Sequence, residues 1–275
     1  MAHPLLDIDI DVLAEVELHL RRVGDLFAAF RDQDSGCVSY GVRMAGGDRW
    51  FVKEAVTEAG RQSLERAWAF HRAVEHPAIV PQVRRIAVGG NGGRAVVMPW
   101  RDGEVLYHCT VHGPRDRTAP DSAMARFRAL PVPRVADAFE QVLSAHLAVE
   151  AAGHVAVDFY DGSLLYDFAR AEVHLIDLDE YRPGPFVVEA ARLPGSRRFM
   201  APEEFERGAV IDRRTTVFTL GRAARLLLDG GDTEEAWRGR PAQLAVLARA
   251  TRPDPGERFP SVREFAAAWR KAGRA

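Results

Sequence analysis

The chain has 275 residues, 47% of them hydrophobic, 28% charged and 9% aromatic, so a disordered or low-complexity polypeptide is excluded. Lys and Arg number 37 against 39 Asp and Glu, a net charge of −2, which removes the electrostatic drive for general nucleic-acid or anionic-membrane binding. Two cysteines cannot build a disulfide framework or a four-thiolate zinc site; the start (MAHPLLDIDIDVLAEVE) is acidic where a signal segment is basic, and no apolar run reaches the roughly 18 residues of a membrane span, so a cytoplasmic protein is expected.

In chain order, residues 11–22 have helical spacing at Leu13, Val16 and Leu20, and 26–30 form a short apolar run. RDQDSGC is rich in turn residues. VSYGVRM then alternates at Val38, Tyr40, Val42 and Met44, AGGD reads as a hairpin turn, and RWFVKEA is the returning strand. Residues 63–74 have helical periodicity and stop near His76-Pro77. Short strands are expected at 82–88 and 94–98, then a linker at PWRDGE. Beyond it the pattern turns helical, at 135–152, 216–228, 241–250 and 262–271, with short strands and loops at 155–166 and 173–179. Residues 113–121 read as a surface loop. The expected organisation is a helical extension over 1–24, a strand-rich lobe over 25–98, a hinge at 99–103 and a helical lobe over 104–275.

Only Lys53 and Lys271 are lysines; the other 35 basic residues are arginines. Lys53 lies inside an apolar strand, where a compact ammonium suits phosphate oxygens or a buried carboxylate. The chemistry-bearing motifs that follow it are Asp158, five residues before Ser163, Asp177-Leu178-Asp179, GSRRFMAPEE, TTVFTLG opening a helix, and DPGERFPSV. As an ordered set, with Gly36-x-Val38 ahead of Lys53, these motifs resemble the protein kinase superfamily over roughly residues 25–270. The resemblance implies an α+β, bilobal protein-kinase-like fold, with a small antiparallel-sheet N-lobe holding one helix and a larger, mainly helical C-lobe.

It also implies roles. Gly36 matches the third glycine of the phosphate-covering loop, with Arg31 and Gln33 where the first two stand, and Val38 matches the residue over the adenine. Lys53 matches the lysine of the α- and β-phosphates, and Glu65 is the nearest helix acid to pair with it, the alternative being a solvated helix face. Met98 matches the gatekeeper, Pro99 the hinge carbonyl and Arg101 the hinge amide, while Phe51 stands where a small residue usually lies over adenine. Asp158 matches the carboxylate that orients the substrate hydroxyl. Val157 replaces an arginine beside it, Tyr160 a lysine and Ser163 the asparagine of the second metal; Leu165 fits the floor beneath adenine. Asp177 matches the main magnesium ligand, and Asp179, in place of glycine, is similar to the second acid of small-molecule kinases related to aminoglycoside phosphotransferases. Ser196 matches the residue that contacts the catalytic aspartate, Thr216 replaces an aspartate beneath the catalytic loop, and Glu203 and Arg258 match a buried ion pair of the scaffold.

The expected function is phosphoryl transfer from ATP, with Mg2+, to Ser/Thr hydroxyls of a protein substrate. The alternatives are a pseudokinase that binds or scaffolds without turnover and a small-molecule kinase; no nucleic-acid or membrane partner is expected. His108, Cys109 and His112 put two imidazoles at helical spacing without a fourth ligand, so no metal is expected there.

Overall fold

The alternation of Val38, Tyr40, Val42 and Met44 turns these side chains to one face of a strand, where they meet a helix laid across the sheet. This is seen in a computed structural model that describes residues 3–7, 12–13, 15–31, 35–89, 93–110, 113–114 and 116–274. The chain is α+β and divides into two units, the first made of Met1–Glu75, Val80–Asp102 and Cys109–Pro114, the second of His76–Ile79, Gly103–His108 and Arg115–Ala275.

The first unit holds β1 (Val12–Leu13), α1 (Val16–Val23), β2 (Gly24–Phe30), β3 (Cys37–Met44), β4 (Arg49–Ala55), α2 (Glu58–Ala73), β5 (Arg84–Val88) and β6 (Gly93–Pro99). Its sheet runs β1-β5-β6-β4-β3-β2, with β1 parallel to β5 and the other five strands antiparallel. On one face Tyr40, Val42, Val52 and Val97 pack with Leu5, Val16 and Leu20; on the other Cys37, Ala55 and Val96 pack with Leu64 of α2. The residues before position 24 thus complete this core, and the helix expected from 11 begins only at Val16, because Val12 and Leu13 join β5 as a strand. Helix α2 starts at Glu58, earlier than its apolar spacing indicates, since the Thr57 hydroxyl accepts from the Gly60 amide at 3.1 Å and caps it. Gly36 closes the corner: its carbonyl accepts from the amides of Val56 and Thr57, and at φ 70° a Cβ would lie 2.1 Å from the Thr57 hydroxyl.

The second unit holds β7 (Glu104–Val105), α3 (Ala123–Ala129), α4 (Val132–Ala151), α5 (Arg213–Leu227), α6 (Pro241–Ala250) and α7 (Val262–Arg274). A hairpin of Leu164–Asp167 with Glu172–Leu175 pairs on its outer side with β7. Helix α3, which the sequence pattern did not mark, is a seven-residue helix capped by Ser122. Helix α5 is buried along almost its whole length, and α7 turns Phe265, Ala266 and Trp269 inward, the last edge-to-face on Phe139 of α4 at 5.2 Å. Part of the loop expected at 113–121, Gly113–Pro114, pairs as a strand with Cys109–Thr110; His112 lies outside the described residues. No helix among the described residues is long and apolar enough to cross a membrane.

A buried ion pair of the second unit joins Glu203 and Arg258. The carboxylate receives Nη1 at 2.6 Å and Nη2 at 2.8 Å, and Arg258, 2% exposed, also donates to the carbonyls of Arg252, Pro253 and Arg214. The neighbouring Glu204 has no such cation. Burial, with the Glu203 charge adding to it, pushes its carboxyl up from 4.5 to about 8 against the Ala201 amide that donates to it. The fold therefore favours the neutral acid: this contribution is complete below pH 4.5 and is lost as the pH rises towards about 8. Glu204→Gln, which keeps an acceptor for Ala201, is expected to melt higher than the parent chain at pH 8 and to match it near pH 4. Melting curves across that range check this, and parallel pH profiles for the two proteins would show that Glu204 does not titrate in the fold.

Candidate functional site

Lys53 is central in β4, 5% exposed, opposite Ser39 on β3 and Val96 on β6. Strand alternation puts it on the face of Phe51 and Ala55, away from Val52. Val38 packs on the Val52 face, so it is not turned to the side of Lys53, and its expected place over an adenine is corrected. The residues that β3 turns towards Lys53 and Phe51 are Ser39 and Gly41.

Gly41 makes room for rings. A Cβ there would lie 2.8 Å from both Phe27 and Trp100, and Phe27 stands edge-to-face on Trp100 at 4.7 Å. Phe51 lies 6.2 Å from Trp100 and 6.2 Å from Phe30. Phe27 reaches this face because a bulge between Leu26 and Ala28 leaves it without a register partner. An aromatic group thus lines the Lys53 face beside Met98, which pairs with Phe51 and packs on the Cys37–Leu64 cluster. Pro99 ends β6 opposite Trp50, the Trp100 amide donates to Arg49, and Arg101 follows exposed.

Glu65 does not pair with Lys53. Its two oxygens receive Arg85 at 2.9 Å and Arg94 at 2.5 Å, on the solvent side of α2. The helix-face reading holds, with strands β5 and β6 supplying the arginines.

In the second unit, four described non-glycine residues have positive φ: Asp158 (59°), Ala171 (57°), Asp177 (58°) and Glu234 (66°). Two of the four are the acids that the motifs single out. Aspartate tolerates this region better than most residues, and backbone held there clusters at functional positions. Asp158 is half-buried in a loop anchored from below, where the Thr216 hydroxyl accepts from the Ala156 amide at 3.1 Å. Tyr160 packs its ring over Gly162, where a Cβ would lie 2.4 Å from it.

Ser163 and Asp177 are brought to the same end of the 164–175 hairpin. Leu164 pairs with Leu175, and the Ile176 amide donates to the Ser163 carbonyl at 3.0 Å. Leu165 pairs with Val105 of β7. The Ser163 hydroxyl is fully buried and has no hydrogen-bond partner, while Asp179 is buried two residues past the exposed Asp177. Magnesium, which the kinase resemblance implies, takes oxygen donors: one or two carboxylates, with phosphates and waters. Two carboxylates and an orphaned hydroxyl fit that chemistry. Among the described residues no three His, Cys, Asp or Glu side chains form a metal-holding group, so the fit is to a cation completed by phosphate oxygens.

Three residues escaped the sequence reading. The His146 Nδ1–H donates to the Val142 carbonyl at 2.8 Å, which leaves Nε2 to accept from the Tyr181 hydroxyl at 2.8 Å. Burial pulls His146 down to about 4, keeping the ring neutral, and burial with the charge of Asp158 pushes the Tyr181 hydroxyl well above its usual range. Asp158 therefore lies within electrostatic reach of a tyrosine fixed by a neutral histidine. Asp161, in the same loop, is 2% exposed and takes Arg117 at 2.6 and 3.1 Å, with that guanidinium 3.3 Å above Tyr107. The second acid of DFYDG was the available signal for it.

No protein-family model matches the chain, and no curated protein matches it.

Proposed function

We propose that the chain is a protein-kinase-like phosphotransferase, the first unit standing for the N-lobe and the second for the C-lobe, which transfers phosphate from ATP to a Ser or Thr hydroxyl of a protein. The observation that carries this reading is the left-handed backbone of Asp158 and Asp177, with Ser163, its hydroxyl orphaned, joined through its carbonyl to Ile176 beside the second. Asp158 orients the acceptor hydroxyl and takes its proton. Lys53 places phosphate oxygens as a point charge. Asp177, Asp179 and Ser163 would hold magnesium, and Mg-ATP supplies the phosphoryl group together with the cation that offsets its charge.

Melting with and without ATP and magnesium, followed by transfer of the γ-phosphate to protein acceptors, tests the proposal. A saturable, magnesium-dependent rise in melting temperature with phosphoprotein formed is expected. No rise with any nucleotide at high concentration refutes it, and a rise with small molecules but not proteins as acceptors moves the reading to a small-molecule kinase, which Asp179 favours.

One observation favours a pseudokinase instead: the Phe27, Phe51 and Trp100 rings on the Lys53 face of the sheet. Opening that face by Phe51→Ala is expected to tighten ATP by about tenfold, near 1.4 kcal/mol. Calorimetric titration of both proteins reads it. If affinity and tolerance for bulkier adenine analogues are both unchanged, the rings do not limit nucleotide entry.

A further inference from the structure

A cavity of about 330 Å³ opens in the second unit between α3 and the loop after α5, lined by Arg117, Thr118, Arg128, Gly230, Gly231 and Arg238. The loop is a built turn. Asp229 accepts from the amides of Gly231 at 2.9 Å and Ala236 at 3.2 Å, and the Gly230 amide donates to Ala236.

The cavity's charged lining residues are all arginines. Arg117 is paired with Asp161, while Asp232 is shared by Arg198 at 2.6 Å and Arg128 at 2.8 Å, the latter outside hydrogen-bonding alignment so that Asp232 Oδ1 receives no hydrogen bond. Asp229 is met by Arg225. Arg238 donates only to the carbonyls of Arg128 and Leu130. Three guanidinium groups, Arg117, Arg128 and Arg238, line the cavity, and Asp161, Asp232 and, through the Thr118 amide and hydroxyl, Asp116 are the acids around them.

Arg128 is the one with an unmet donor. It is 5% exposed, its Nε donates to Leu226 at 3.0 Å, and its buried Nη2 has no acceptor. Burial draws its pKa down from the usual value, a direction that an arriving anion reverses. Buried donors in folded proteins are almost always satisfied, and a planar guanidinium is best satisfied by two oxygens of one oxyanion.

We infer that this cavity binds a doubly charged phosphate group, as inorganic phosphate or as a phosphate monoester. A wall of three guanidiniums with an unmet, buried Arg128 Nη2 suits the oxygens of a phosphate. The volume, about ten waters' worth, exceeds a lone ion and leaves space for the carbon side of an ester.

The test is calorimetric and thermal titration of the nucleotide-free full chain with sodium phosphate and with N-acetylphosphoserine amide, using sodium chloride at equal ionic strength as the control. Saturable phosphate binding that chloride does not reproduce is expected. Arg128→Gln breaks a buried ion pair and is a poor probe, so two others are used. Thr118→Glu sets a carboxylate at an exposed position on the cavity wall, and Arg238→Gln removes the cation without a carboxylate partner. Each is expected to weaken phosphate at least tenfold. Tighter binding of the phosphoserine amide assigns the site to esters, and equal binding assigns it to free phosphate. A response that chloride reproduces, or one undiminished in both variants, overturns the inference. Because nucleotide is absent and both variants lie in this cavity, failure of the phosphotransferase reading leaves the result standing.

Discussion

Under the proposed phosphotransferase reading, Asp158→Asn is expected to lower phosphoryl transfer by about 10²–10⁴-fold, the usual contribution of a positioned proton acceptor, without loss of stability. Asparagine suits this substitution because it is also enriched at positive φ, so the 59° backbone of the loop persists while the proton-accepting oxygen is lost. Nucleotide affinity should stay as in the parent chain, so the loss falls on kcat. Rapid-quench or steady-state assays beside a melting curve separate the two quantities. Transfer at the parent rate would take Asp158 out of the chemistry and leave its strained backbone without a catalytic reason.

Glu203→Ala is expected to cost about 3–5 kcal/mol, the largest stability effect foreseen, because Arg258 would remain buried with an uncompensated charge. Three carbonyls also accept from Arg258, so the guanidinium cannot swing out to water without abandoning them. Replacing both partners, Glu203→Met with Arg258→Met, should recover part of the loss, since it removes the uncompensated charge while leaving the Thr215 hydroxyl and three carbonyls without their partners. Urea unfolding of the two variants measures the difference. A single-variant loss below about 1 kcal/mol, the range of a solvent-exposed pair, would contradict the buried geometry.

The sequence made some of this visible and hid the rest for physical reasons. The β3–β4 hairpin was legible because period-two alternation and the AGGD turn agree, as was the ion pair because APEE and DPGERF carry its partners. The face of Val38 was not. Spacing along the chain relates Gly36 to Lys53, but the pairing across the hairpin sets which residues share a side, and it matches Ser39 to Lys53. Phe27 and Trp100 were hidden for a related reason, since a bulge changes which side chain points where and leaves no compositional mark. Glu65 looked like a partner for Lys53 only until β5 and β6 brought Arg85 and Arg94 beside it. At the start of the chain the spacing of Leu13, Val16 and Leu20 fits a helix. The ladder to β5 decided for strand at Val12 and Leu13.

The bulge in β2 has a further consequence, for how molecules of this protein meet one another. An outermost strand offers a row of unpaired amides and carbonyls on which a neighbouring chain can template fibrillar growth. Here β2 is outermost on one side, and the offset between Leu26 and Ala28 breaks the even spacing such growth requires; on the other side β1 offers two residues among those described. The backbone irregularity that turns Phe27 onto Trp100 therefore also interrupts the strand margin, and a change that straightened β2 to free the rings is expected to offer a continuous edge to the next molecule.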